Sequence, residues 1–291
     1  MSWIALALLC AFALASADAA AKIWLRDFTA SELLIVRLCL PGLLMLPLLG
    51  GLPPLTELPL AFWGWMAALV PLELLAMWLY VAAIRDHPLS LTLPYLAFTP
   101  VFIVGVAWLL LGEQVSARGL LGIMLVVAGA WVLNSTHAHR RSWRGWVAPF
   151  VAMLDERGSR MMLGVAVLYA LTATLGKGAL GYLPPESFGA LYIAVLGSAV
   201  ALGIVLPHPS RLRRLAQHPW AVLTVGGLLG IMVFTHFLAL QQVEVAYMIA
   251  VKRTSLLFGI VYGALLFREP HLAARLPAGM LMVSGVVVIV V

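Results

Sequence analysis

The stretch 245–272, VAYMIAVKRTSLLFGIVYGALLFREPHL, decides the fold class. Roughly 20 apolar residues rising about 1.5 Å each cross the hydrocarbon core of a bilayer, and this stretch is long enough. Yet Lys252 and Arg253 lie side by side about two turns in. A charge at the centre of a membrane helix costs roughly 2.5–3.5 kcal/mol on insertion scales, so an intramembrane charge marks a pathway or a site more often than not. Two readings follow. Either acidic neighbours neutralise the pair and it holds helices together, or it binds an anion inside the membrane. On a straight helix Lys252, Ser255, Gly259 and Gly263 share one stripe, with Arg253 about 100° round from Lys252.

The rest of the chain resembles this stretch. Of 291 residues, 63% are hydrophobic and 10% charged, which excludes an ordinary soluble globular protein. Ten apolar segments lie near 3–21, 30–49, 60–84, 90–111, 117–135, 161–181, 187–206, 219–240, 245–267 and 274–291. They leave no room for a soluble domain. Membrane-barrel strands would alternate apolar and polar residues, whereas these segments are apolar all round. The expectation is an all-α integral membrane protein with ten transmembrane helices. The first segment ends in small residues like a signal peptide but has no basic region before it, and reads as the first span. Cys10 and Cys39 lie in separate segments without metal-ligand spacing, and no metal or other cofactor is expected.

The formal charge of +6 is distributed as an orientation signal, not as a nucleic-acid surface. Thirteen of the 18 Lys and Arg fall in loops on one side, Arg118 alone falls on the other, and Arg37, Lys177, Lys252 and Arg253 lie within segments. The loop 136–160 is therefore expected in the cytoplasm and both termini outside, in a bacterial cytoplasmic (inner) membrane. This loop, THAHRRSWRGWVAPFVAMLDERGSR, reads equally as a surface-lying piece with Trp143 and Trp146 or as a plain linker.

Segment one carries Asp18 and Lys22 at i and i+4, segment two Arg37, and segment three Glu73 with Met77 and Tyr80 on its face. Pro94 and Pro100 should kink segment four. Beyond the linker the pattern repeats. A shift of 156 lays Tyr80–Leu133 over His236–Ile289, with Tyr80 on His236, Glu113 on Glu269, Met124 on Met280 and Gly129 on Gly285. A shift of 155 pairs Lys22 with Lys177. Five helices per half is an odd number, so the second copy is inverted, the common plan of secondary transporters. The organisation is a first repeat over 1–135, a cytoplasmic linker over 136–160 and a second repeat over 161–291.

With its duplication, short loops and the segment ends LLLGEQ (109–114) and LLFREP (265–270), the chain resembles the ten-helix EamA-type members of the drug/metabolite transporter superfamily over essentially its whole length. The resemblance implies a central cavity lined by segments one to four and six to nine, and a structural role for Glu113 and Glu269. Within the superfamily, VKRTSLLFGIVYG is similar to the Lys-Arg pair of the plastid sugar-phosphate translocators. That similarity implies that Lys252 and Arg253 are phosphate ligands. Those translocators also use a lysine on the fourth helix, and segment four here, LTLPYLAFTPVFIVGVAW, has none; Arg37 or Lys177 would have to substitute.

The functional expectation is a secondary transporter moving a small phosphate- or carboxylate-bearing metabolite by alternating access, in contact with membrane lipids and with no nucleic-acid partner. Its candidate substrate-binding residues are Lys252, Arg253, Arg37, Lys177, Tyr80 and His236. Glu73 and Asp18 are the candidate proton carriers or counter-ions. Arginine grips an oxyanion through two hydrogen bonds, while lysine acts as a point charge. A flippase for a lipid-linked phosphate, such as a polyprenyl-phosphate sugar, is the alternative. An intramembrane enzyme is less favoured, because the histidines are scattered and no nucleophile motif stands out.

Overall fold

The computed structural model describes residues 1–86, 93–134, 157–266 and 272–291. The loop expected over 136–160 lies outside the described residues up to position 156, as does Glu269. Among the described residues every regular element is a helix. In order they are α1 (Trp3–Trp24), α2 (Ala30–Leu34), α3 (Leu40–Leu44), α4 (Leu60–Asp86), α5 (Thr99–Leu111), α6 (Ala117–Asn134), α7 (Arg157–Leu180), α8 (Pro185–Val200), α9 (Arg211–Gln217), α10 (Pro219–Leu240), α11 (Val245–Lys252), α12 (Ser255–Leu266) and α13 (Leu272–Val290).

Among the described residues, six helical spans are long and apolar enough to cross a membrane: Trp3–Trp24, Leu60–Tyr80, Arg157–Leu180, Pro185–Val205, Pro219–Leu240 and Val245–Gly263. Shorter apolar helices cover Tyr95–Leu111, Ala117–Val132 and Pro277–Val290. The chain is an all-α membrane protein. Segment two departs from a plain helix: α2 and α3 are joined by a π-helical turn, Ile35–Cys39, that carries Arg37. Segment four begins as a 3₁₀ turn, Leu93–Phe98, before α5 takes over. Pro100 sits in the first turn of α5, where its missing N–H costs nothing, and Thr99 Oγ1 donates to Leu96 O at 2.8 Å across the junction.

The chain forms two compact units. The first comprises residues 1–66 and 179–243. Here the end of α1 packs on the start of α10 through Ala17, Ala20, Leu25, Val222, Val225 and Leu229. Thr29 and Glu32 cap α2 reciprocally, each side chain accepting from the other's backbone N–H. Arg214 on α9 donates to Asp27 O at 2.6 Å and stacks 5.4 Å from the Phe28 ring, tying α9 to the α1–α2 turn. Small residues bring segment two and α8 together. A Cβ on Gly197 would meet Leu38 O of the π-helical turn at 2.7 Å, one on Gly42 of α3 would lie 3.2 Å from Ile193 O, and Cys39 Sγ donates to Gly197 O at 3.2 Å.

The second unit comprises residues 67–178 and 244–291. Helices α6 and α13 pack at backbone contact: Cβ atoms on Gly122, Gly129 and Gly285 would lie 2.6–2.7 Å from atoms of the opposing helix. A second cluster joins Ala83, Tyr95, Trp131, Met162 and Val165, with Tyr80 and Tyr169 packed against it. Each unit draws on both halves of the sequence, so the duplication is a feature of the chain and the units are a feature of its packing.

Candidate functional site

The segment that opened the sequence is not one straight helix. α11 ends at Lys252, Arg253 is its C-cap, and α12 starts at Ser255. Across the break the backbone tightens to i→i+3 bonds: Thr254 N–H to Val251 O at 2.9 Å, Leu256 N–H to Arg253 O at 3.0 Å and Leu257 N–H to Thr254 O at 2.9 Å. Thr254 Oγ1 adds a bond to Val251 O at 2.7 Å. A 3₁₀ step turns 120° per residue where an α step turns 100°, so the stripe expected from Lys252 to Gly263 is rotated beyond Arg253. Two cations at the end of α11 also face the negative pole of its dipole.

Arg253 is half-buried, and its Nε is shielded from solvent with no hydrogen-bond partner among the described residues. Among the described residues, the phenols of Tyr169 on α7 and Tyr80 on α4 act on it electrostatically. Both rings lean on the Tyr95–Trp131 cluster, where the two rings meet edge to face at 5.7 Å. α4 and α7 thus bring one tyrosine each to the cation. Lys252 stands beside it, also half-buried.

The other expected residues lie elsewhere. Lys177, near the end of α7, pairs with Glu113: Nζ lies 2.5 Å from Oε1. The remaining oxygen of Glu113, Oε2, accepts the N–H of Val245 at 2.9 Å, at the start of α11. In the first unit Arg37 Nη1 donates to Asp18 Oδ1 at 2.8 Å, a partner that the i, i+4 spacing of Asp18 and Lys22 does not anticipate. His236 is half-buried on α10 with its ring 4.9 Å from Phe237. Glu73 is half-buried on α4 and engaged in an interaction. In the first turn of α8, Glu186 Oε2 is shielded with no hydrogen-bond partner among the described residues, and the positive pole of that helix accommodates its charge.

The second unit therefore brings together Lys252, Arg253 and Tyr80 of the expected residues and adds Tyr169. Nothing in the sequence marks Tyr169, a single aromatic in an apolar helix. Glu113 was marked by its repeat partner and by the LLLGEQ segment end, as a structural residue. What the cluster offers chemically is a guanidinium with a shielded N–H donor, beside two phenols.

Packed helices, small-residue crossings and long apolar spans define the class as a helical membrane protein. The EamA-like transporter family model matches residues 1–135 and again residues 157–291. The chain belongs to that family, and so is a membrane transporter of the drug/metabolite transporter superfamily. Among solved structures, one crystal structure matches with a TM-score of 0.77 at 18% sequence identity, covering 100% of this chain and 99% of its own; the likeness is one of fold. No match was found among curated proteins.

Proposed function

We propose that the transported substrate is a small anion, phosphate- or carboxylate-bearing, and that Arg253 anchors it with Lys252, Tyr80 and Tyr169 alongside. One observation carries the reading: among the described residues the Arg253 Nε is shielded with no hydrogen-bond partner, and the groups that act on the guanidinium are phenols. A buried donor left unmade costs about 1–3 kcal/mol, more when charged, and an incoming oxyanion repays that cost. Phenol hydroxyls add neutral donors without cancelling the charge. Lys177 and Arg37 are better read as supports than as ligands, because each already holds a carboxylate at 2.5 and 2.8 Å. The basic asymmetry of the loops supports a cytoplasmic membrane with both termini outside.

The test is titration of purified protein with inorganic phosphate, a phosphomonoester and a dicarboxylate, each with thermal melting. Arg253→Gln should weaken the bound anion about ten- to hundredfold, the scale of a charged hydrogen bond, without lowering the melting temperature of the ligand-free protein. Arg253→Lys should fall between, keeping charge but losing the fork. If Arg253→Gln melts markedly lower and binds the anion as tightly as the parent, Arg253 is a counter-ion and the reading is wrong.

A further inference from the structure

Glu113 does more than close α5. The residue before it, Gly112, has φ 69° and ends α5 in the left-handed conformation that favours glycine. That turn aims the carboxylate at two targets on two other helices, Lys177 of α7 and the first N–H of α11. The N-cap residue of α11, Glu244, makes no side-chain cap of its own. Glu113 is the cap instead, supplied from a distance, and its charge suits the positive pole of α11. The same turn grips α11 a second time. The Tyr247 hydroxyl accepts the Ser116 N–H at 3.1 Å and lies 3.3 Å from Ser116 Oγ. Gly119 makes room for that ring, since a Cβ there would collide with Tyr247 Oη.

α11 is short and regular, so its two ends move together. Lys252 lies about 10 Å along the axis from Val245, and Arg253 follows it directly. Whatever holds the first turn of α11 therefore sets where the guanidinium stands. The ion pair is also the kind that can part. Lys177 and Glu113 retain 21% and 12% side-chain exposure at helix ends, where water can solvate the separated charges; the same pair at mid-span would face several kcal/mol of desolvation per ion.

We infer that Glu113 is a positioning residue for Arg253, and that its pairing with Lys177 is a latch on α11 that opens and recloses as the transporter cycles. The inference rests on the anion reading only for the purpose of the latch; its existence is measurable without a ligand. Ala246, fully buried beside the grip, reports opening. With Cys10 and Cys39 replaced by serine and Ala246 by cysteine, the rate of modification by a hydrophilic maleimide is measured on purified protein together with the melting temperature. Glu113→Gln and Lys177→Met should each speed modification about tenfold, the equilibrium effect of one partly solvated charged hydrogen bond. Melting should stay within a few degrees of the parent. The double variant should be no faster than Glu113→Gln alone, since Lys177→Met removes only the ion pair that Glu113→Gln has already lost. Inorganic phosphate should alter the rate in the parent and not in the Arg253→Gln variant. Unchanged rates in the single variants, rates that rise only in step with lost thermal stability, or additive effects in the double variant would each overturn the latch. Faster, non-additive modification with no phosphate effect anywhere would instead leave the latch standing and remove the anion reading.

Discussion

A single glycine methylene decides whether the α5–α6 turn can hold α11. Gly119→Ala would drive a methyl into the Tyr247 ring, forcing the hydroxyl off Ser116. We expect a loss of about 1–3 kcal/mol, the range of an overpacked site, read as a lower melting temperature. Tyr247→Phe keeps the ring and loses only the hydroxyl, and should cost about 1 kcal/mol in the same measurement. Glu73 presents a different question at this scale. Its place mid-span in the apolar α4 motivates a proton-carrier role, and Glu73→Gln should then abolish the proton-gradient dependence of uptake while leaving binding largely intact. Uptake still driven by the gradient in that variant would leave Glu73 a counter-ion. At this scale the sequence was legible where charge interrupts apolar runs, which is how Lys252 and Arg253 stood out. It was not legible for Tyr169 or for the Lys177–Glu113 pair. An aromatic in an apolar helix carries no signal of its own, and the pair joins positions 64 residues apart that only packing brings together.

At the scale of elements, the α6–α13 crossing brings two backbones into contact. The Gly122 and Gly285 positions admit no side chain: a Cβ on either would lie 2.6–2.7 Å from the carbonyl oxygen of the other. Without a hydrophobic driving force inside a bilayer, such close approach supplies the packing that holds two helices together. Gly285→Leu should separate them and lower the melting temperature in detergent by well over 5 °C, whereas Val283→Leu, at an exposed position two residues away, should be near neutral. Helix existence was readable from apolar length, but the breaks were readable only in part. Pro94 and Pro100 announced the irregular start of segment four. No proline or glycine announced the tightening at Arg253–Thr254, where a threonine hydroxyl bonds back to Val251 O.

For the whole molecule, orientation follows from where the basic residues fall. Gln217, exposed at the end of α9 beside Arg211, Arg213 and Arg214, lies on the side expected to face the cytoplasm. Gln217→Cys, in a protein lacking Cys10 and Cys39, should resist an impermeant thiol reagent in intact cells and react in inverted vesicles. The reverse pattern would invert the orientation. The duplication was legible because glutamates and glycines recur at a fixed offset. The interleaving of its halves into two compact units was not, since pairing between distant segments depends on side-chain fit rather than on pattern. That interleaving bears on how the protein is made. When the ribosome has delivered residues 1–135, α1 has no α10 and α6 has no α13, so the glycine surface of α6 meets lipid or an insertion chaperone. Partners arrive only with the second half of synthesis, so these contacts cannot form before it. A gene divided within the linker should accordingly yield two fragments that degrade when expressed singly and accumulate together when co-expressed.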